Sequence, residues 1–331
     1  MTKRVVVVGS TGFVGRAVVD ALQRRGASVT AMAAPRLAPV EQTRVRDALA
    51  NSGDRIAEIA GLFAEADVVV NAAGNPDASA RDESTLMAPN ALLPAVLASA
   101  AHIARVPRFV HVSSAVVQGN ISVLDESEVV RSFSAYSRSK ALGERVALEV
   151  AASETVVYRP PSVHAEDRRV SRLMARLARS PLSSVASPNN SPSPQALLEN
   201  VADAVAFLAL CGERTPSIVI HPSEGLTTSS VLSYLGGRKP KVVPRWLAKL
   251  VVGILLAAGK AIPAIAANAR RVELLWFGQG QAVSWLTAVG WRPPAGHEAW
   301  RQLGEALAEQ SRMPVTTNGR GRSEGRRDRT S

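Results

Sequence analysis

Cysteine is nearly absent: Cys211 is the only one in 331 residues. One thiol excludes an intramolecular disulfide and any multi-cysteine metal site, so no metal is expected, and a reducing cytoplasm is the natural setting. Carboxylates are outnumbered, 28 against 39 Lys and Arg, giving a formal charge of +11. Residues 313–331 hold Arg320, Arg322, Arg326, Arg327 and Arg329 against Glu324 and Asp328, which leaves +3 in that tail and +8 elsewhere. The basic residues are scattered and lack the interleaved aromatics on which single strands stack, so no nucleic-acid partner is expected. A solvated basic surface is the simpler reading, and it favours an anionic small-molecule substrate.

Long apolar runs are missing too. The stretch LVVGILLAAG, residues 250–259, is ten residues between Lys249 and Lys260, far short of the about 20 needed to span a bilayer. It is expected to form a buried helix, with a peripheral membrane contact as the alternative and no transmembrane segment. The N-terminus, MTKRVVVVGS, enters an apolar strand at once and leaves no room for a signal peptide. Apolar residues still make up 46% of the chain, which suits a globular protein of one or two domains. The polar, Arg-rich tail, residues 312–331, is expected to be disordered.

What is present is organised around RVVVVGSTGFVG, residues 4–15. Four valines read as a strand buried on both faces, and an amphipathic run from 13 to 25 reads as a helix. Gly9, Gly12 and Gly15 lie between and into them. Missing Cβ atoms let a backbone turn approach a pyrophosphate, whose charge meets the free N–H groups of the helix N-terminus. A second strand is expected over 28–33. Its end faces the adenosine ribose in a dinucleotide fold, where a carboxylate binds a 2′-hydroxyl and an arginine a 2′-phosphate. Residues 29–40 hold no carboxylate but do hold Arg36; that leans towards NADP over NAD, unless Arg36 is only a loop cation.

Further on, a short strand is expected near 43–46 and a helix over 55–65, capped by Asp54. DVVVN, residues 67–71, is a buried strand ending in Ala72, Ala73 and Gly74, small enough for a flat cofactor to pass. A long helix over 85–103 carries Asn90 in its first turns, either bracing backbone near the cofactor or exposed. RFVHV, residues 108–112, runs into Ser113 and Ser114 at a strand end that faces the ligand crevice. Tyr136 and Lys140, in YSRSK, stand four apart on one helix face. A lysine near a tyrosine favours phenolate and lowers its pKa towards use as a general acid or base.

These motifs, in this order, resemble the short-chain dehydrogenase/reductase superfamily, and specifically its extended branch, the NAD-dependent epimerase/dehydratase group. GSTGFVG is similar to that branch's glycine motif, and the likeness continues through Glu144 and Tyr158-Arg159-Pro160-Pro161-Ser162-Val163, then more faintly to about residue 311. The resemblance implies an α/β fold, a doubly wound parallel sheet of Rossmann type with a smaller, mostly helical C-terminal lobe. It implies that Gly9, Thr11, Gly12, Phe13, Val14 and Gly15 cradle the pyrophosphate, and that Ala72, Ala73, Gly74, Pro160 and Val163 line the NAD or NADP. Ser114 would bond the substrate oxygen, Tyr136 would move the proton, and Lys140 would hold the nicotinamide ribose. A homodimer built on helices of the large domain is also implied.

Departures touch the substrate pocket. Gln118-Gly119 stands where the family often has Tyr-Gly, and Ala165-Glu166 where it often has Gly-Pro. Ser114 is followed by Ala115-Val116-Val117 instead of the Asp-Glu of sugar dehydratases, which argues against dehydration. The dinucleotide-binding domain is expected over 1–165, with 196–222 returning to it, and the substrate lobe over 166–195 and 223–311. Within these, 167–183 reads as a basic helix, 184–195 as a flexible loop, 196–210 as a helix and 217–221 as a strand. Helices are also expected over 229–235, 246–267 and 270–277. Trp276, Trp285, Trp291 and Trp300 are expected to pack the lobe, and Arg270, Arg271 and Arg301 either reach an anionic substrate or stay on the surface.

The function expected is hydride transfer to or from a secondary alcohol or ketone, as an epimerase or oxidoreductase acting on a nucleotide sugar. A ketone reductase of the dihydroflavonol or hydroxysteroid type is the alternative within enzymes. A dinucleotide sensor without turnover is the alternative outside them.

Overall fold

Strands and helices alternate from β1 (Arg4–Val8) through α1 (Phe13–Arg24), β2 (Ser28–Met32), α2 (Val45–Ala50), α3 (Gly53–Phe63) and β3 (Val68–Asn71). They continue through α4 (Ser84–Ile103), β4 (Arg108–Val112), α5 (Ala135–Val150), β5 (Glu154–Arg159), α6 (Arg169–Arg179), α7 (Leu198–Leu210) and β6 (Ile218–Ile220). Among the described residues there follow α8 (Thr228–Gly236), α9 (Arg245–Ala261), α10 (Pro263–Phe277), a single helical turn over Trp285–Ala288, and α11 (His297–Arg312). The computed structural model describes residues 2–77, 82–151, 154–261 and 263–312, without the side chains of 260–267. The tail expected to be disordered lies outside them, apart from Arg312 at the end of α11.

The six main strands form one sheet in the order β6-β5-β4-β3-β1-β2, with every pair parallel. Parallel neighbours need crossovers, so helices cover both faces and the strands must be apolar on both sides. The valines of β1 show this. Val5 and Val7 pack with Val18 and Leu22 of α1 and Val201 and Val205 of α7. Val6 and Val8 pack on the opposite face with Ile59 and Phe63 of α3 and Leu97 of α4. Each such side chain is worth about 1.5–3 kcal/mol on full burial. Strand order reverses between β1 and β3, whose ends are in register at Val8 and Asn71, and a doubly wound sheet opens its ligand crevice at such a reversal.

Helix α4 is the one described helix long and apolar enough to cross a membrane, but 78% of its most apolar window is buried, which makes it a core helix. It is not uniform: residues Ala88–Leu92 form a π turn between two α segments.

Several local expectations are corrected. Residues 43–46 form no strand; Gln42–Arg44 is a 3-10 turn leading into α2, and Val45 alone is buried, too little for a strand face. Helix α3 starts at Gly53, and Asp54 sits inside its first turn instead of capping it. The loop at 184–195 opens with a short strand, Ser184–Ala186, paired with Lys241–Val243. A second, Gln195–Leu197, paired with Ser162–His164, begins at its last residue and takes the first two residues of the helix expected over 196–210, which starts at Leu198. The helices expected over 246–267 and 270–277 are instead Arg245–Ala261 and Pro263–Phe277, and a proline suits the start of the second. LVVGILLAAG is not buried as expected: on α9, Leu250 is 54% and Ile254 60% exposed.

The C-terminal lobe has its own core, in which Trp300 packs with Ala178, Leu232 and Leu235. Trp285 and Trp291, expected there, pack on the main sheet with Val219 and Leu286. Glu224 joins the two regions. Its Oε1 accepts from the Leu197 amide (3.1 Å), Asn200 Nδ2 (2.8 Å) and His221 Nε2 (3.1 Å), and its Oε2 from Trp300 Nε1 (2.8 Å). Removing this acceptor strands several buried donors at once. Glu224→Ala is expected to lower the unfolding free energy by about 3–5 kcal/mol, read from the urea midpoint.

Candidate active site

The glycine turn is held by close backbone approach. Gly9 has φ +83, and a Cβ there would lie 2.7 Å from Ala73 Cα at the end of β3. A Cβ on Gly15 would lie 2.0 Å from the Gly9 carbonyl oxygen. The amides of Gly9 and Ser10 both donate to Met32 O (2.8 and 3.2 Å), which sets the turn beside the end of β2. Helix α1 then begins with Gly12 at its N-cap, no side-chain cap and no acid in its first turn. Its first N–H groups are left for a ligand, and its dipole favours an anion. Thr11 is exposed, Val14 packs partly on the sheet core, and the Arg168 guanidinium sits 4.7 Å above the Phe13 ring. Such a turn suits a dinucleotide pyrophosphate.

Across the crevice, Ala72 and Ala73 follow β3, and Asn71 Oδ1 accepts from the Ala73 amide (3.0 Å). Gly74 needs its missing side chain: a Cβ would lie 2.9 Å from both Asn90 Oδ1 and Lys140 Nζ. Asn90, fully buried on the π turn, accepts from the Asn75 amide (2.9 Å) and donates to Asn75 O (3.0 Å) and Ser139 Oγ (3.1 Å). Of the two readings open for Asn90, it is not exposed; it braces the backbone of Asn75.

Helix α5 starts with a capping box between Ser134 and Ser137, which places Tyr136 and Lys140 on its first turns. Ser114 caps the 3-10 turn Ala115–Gln118, accepts from the Val116 amide (3.3 Å) and lies beside the Tyr136 phenol. Burial pushes that phenol above its ordinary pKa, while Ser114 and the Arg168 charge pull it back. Lys140 was expected to lower it, but the groups acting on the phenol among the described residues are Ser114 and Arg168. The Lys140 ammonium donates instead to Val112 O (3.3 Å), and burial lowers its pKa to about 8, with Glu144 opposing.

Beneath lies a buried polar layer. Glu144 pairs with Arg159 (2.7 Å) and accepts from Ser113 Oγ, and Arg159 Nη1 donates to Ser127 O (2.8 Å). Burial and the Lys140 charge hold His111 well below its ordinary pKa, so it is neutral. Its Nδ1 lies 3.1 Å from Asn71 Nδ2 and therefore accepts. Pro160 supports this end of the sheet, its carbonyl accepting from the Ala115 amide (2.8 Å), and Val163 packs on the sheet core. Gln118 does not line a pocket: it is fully buried and bonded to Asp125 Oδ1 (2.8 Å) and Val129 O (3.0 Å).

Arg36 stands exposed in the loop after β2. Arg270 is held by Gly119 O (2.7 Å) and Glu273 (2.8 Å), Arg271 donates to Asn268 Oδ1 (3.0 Å), and Arg301 donates to Glu298 while covering the Tyr234 ring. The cation that reaches the site is Arg168, close to both Phe13 and Tyr136. Sequence pattern alone reads it as one charge among many on a basic helix. Its position just before α6 is the only local signal.

A parallel sheet with a glycine turn and a small-residue strand end at its point of reversal, and a Ser–Tyr–Lys set beside them at the end of β4, defines a Rossmann-type dinucleotide protein. The sequence matches the model of the NAD-dependent epimerase/dehydratase family over residues 5–190, and the chain belongs to that family. Among proteins of curated function, none matches it. Solved structures match the fold at low identity. The UDP-glucose 4-epimerase of Thermus thermophilus, in complex with NAD, is 20% identical with a TM-score of 0.58, covering 92% of this chain and 99% of its own. Bacillus anthracis dTDP-4-dehydrorhamnose reductase, in complex with NADP, is 14% identical with a TM-score of 0.61, covering 91% and 98%. Bacillus cereus UDP-glucuronic acid 4-epimerase, in complex with UDP-glucuronic acid and NAD, is 14% identical with a TM-score of 0.60, covering 93% and 99%.

The depressed pKa of Lys140 makes a prediction about pH. The unfolded chain holds that proton up to 10.5 and the folded one only to about 8, so wild-type stability rises with pH across that window. Below it the full penalty of a buried ammonium applies. Lys140→Met is expected to stabilise the cofactor-free protein at pH 7 by on the order of 1–3 kcal/mol. The gain should fade between about pH 8 and 10.5, as followed by denaturant melts across pH.

Proposed function

We propose that this protein is an NAD(P)-dependent epimerase or oxidoreductase that moves a hydride to or from a secondary alcohol or ketone of a nucleotide-linked sugar. The observation that carries the reading is Ser114 beside the Tyr136 phenol, with buried Lys140 one helical turn on, held at the ends of β3 and β4. The glycine turn from Gly9 to Gly15 would hold the pyrophosphate on the α1 amides. Ala72, Ala73 and Gly74 would line the dinucleotide, and the Lys140 ammonium would take its ribose hydroxyls as hydrogen-bond acceptors. When bound, the nicotinamide supplies the hydride donor or acceptor.

The chain's own residues handle the proton and the substrate. Ser114 would orient the substrate oxygen. A phenol pushed up by burial keeps its proton at neutral pH, so Tyr136 is ready to donate it to a carbonyl oxygen as that carbon is reduced. In the reverse direction the alcohol proton returns to the phenolate oxygen. Arg168, between Phe13 and Tyr136, is suited to a substrate diphosphate. Exposed Arg36, with no carboxylate in residues 29–40, supports NADP over NAD. The same reading carries a homodimer in a reducing cytoplasm.

Chromatography of dinucleotide released from freshly purified protein separates the two reaction types. Retained NAD supports an epimerase that recycles its cofactor, and reversible NADPH binding supports a reductase. Tyr136→Phe is expected to lower turnover by about 10²–10⁴-fold with dinucleotide binding kept; unchanged turnover would overturn the mechanism. Arg168→Ala is expected to raise KM more than it lowers kcat.

A further inference from the structure

Helix α9 turns a wholly apolar face to solvent. Its buried stripe is made of small or thin residues, Ala248, Val252 and Gly259. On the opposite side, Trp246, Leu250 and Ile254 recur every four residues and are 69%, 54% and 60% exposed. Leu247 widens this face. Val242 on the edge strand before it (51% exposed) and Leu182, beside the strand that pairs with it (76% exposed), extend the face. Monomeric soluble proteins rarely leave so much contiguous apolar surface without a use for it.

Charge discriminates among the things that could cover this face. Residues 225–272 contain eight Lys and Arg and no Asp or Glu. Lys249 stands on α9 beside Leu250, Lys239 and Lys241 lie on the chain just before the helix, and all three are exposed. A second copy docked here would set two such segments against each other. The chain's own tail, residues 313–331, is also basic and offers only Met313, Pro314 and Val315 as apolar cover. An anionic lipid surface offers both what the apolar residues need and what the lysines need. At 17 residues, about 25 Å by helical rise, the helix is too short to cross a bilayer and suits one lying in its plane.

We propose that α9 docks flat on an anionic lipid bilayer, with Trp246, Leu250 and Ile254 in the interfacial layer and Lys239, Lys241 and Lys249 against the headgroups. The test is co-sedimentation of the full chain with phosphatidylcholine vesicles, with and without about 30% phosphatidylglycerol. Binding is expected on the anionic vesicles only and should weaken as salt is raised. Leu250→Glu with Ile254→Glu, at exposed positions outside the active site, should reduce binding at least about tenfold while dinucleotide binding is kept. A blue shift of tryptophan emission on vesicle addition should disappear in Trp246→Phe, an independent reading that does not depend on the double variant. No binding, equal binding to neutral vesicles, or equal binding by the double variant would overturn the proposal. So would a dimer in solution that the double variant dissolves without any vesicle binding.

Discussion

The Lys140 ammonium is buried at the ends of β3 and β4 with the Val112 carbonyl as its hydrogen-bond partner. Burial of a charge with so little compensation opposes folding, as its lowered pKa records. The surroundings fit that one group. Gly74 lacks the atom that would collide with it, and Asn90 braces the next residue. Glu144, one turn along α5, is already neutralised by Arg159, so it steadies the lysine without sequestering it. The apolar packing of the sheet supplies the stability that the site consumes.

The same logic governs how the lobe is attached. Glu224 gathers donors from His221 beside β6, from the start of α7 and from Trp300 on α11. Glu126 does similar work, accepting from the Ile220 amide, the Trp285 amide and Ser284 Oγ, while burial pushes its carboxyl up. Two carboxylates thus fasten C-terminal segments to β6 through backbone and ring N–H groups and a hydroxyl. Such joints are directional, and they hold the lobe at a set angle to the crevice where a purely apolar contact would allow sliding.

What could be read from the sequence was local. The valine strand, the glycine turn, the Ala-Ala-Gly strand end and the Ser–Tyr–Lys set depend on residues near one another in the chain, and their positions are as expected. What escaped depends on distant neighbours. Arg168 reaches Tyr136 only because the chain after β5 folds back over α1. The nearest lysine in sequence was expected to lower the Tyr136 pKa, yet burial raises it, and the groups that oppose burial are Ser114 and Arg168 in space. The short strands Ser184–Ala186 and Gln195–Leu197 exist only because 241–243 and 162–164 lie beside them. An apolar run on α9 read as buried because composition carries no information about which side a neighbour covers.

The π turn at Ala88–Leu92 inserts one extra residue into α4, which rotates everything after it by about 100° relative to everything before. The helix is buried on almost every side, and the shift in phase falls at the residue that braces the crevice. A regular α-helix of the same sequence would carry every residue after Leu92 about 100° away from the neighbours it now meets. Irregularity at this point is what lets a single rod serve two neighbours that a straight one would face at the wrong angle.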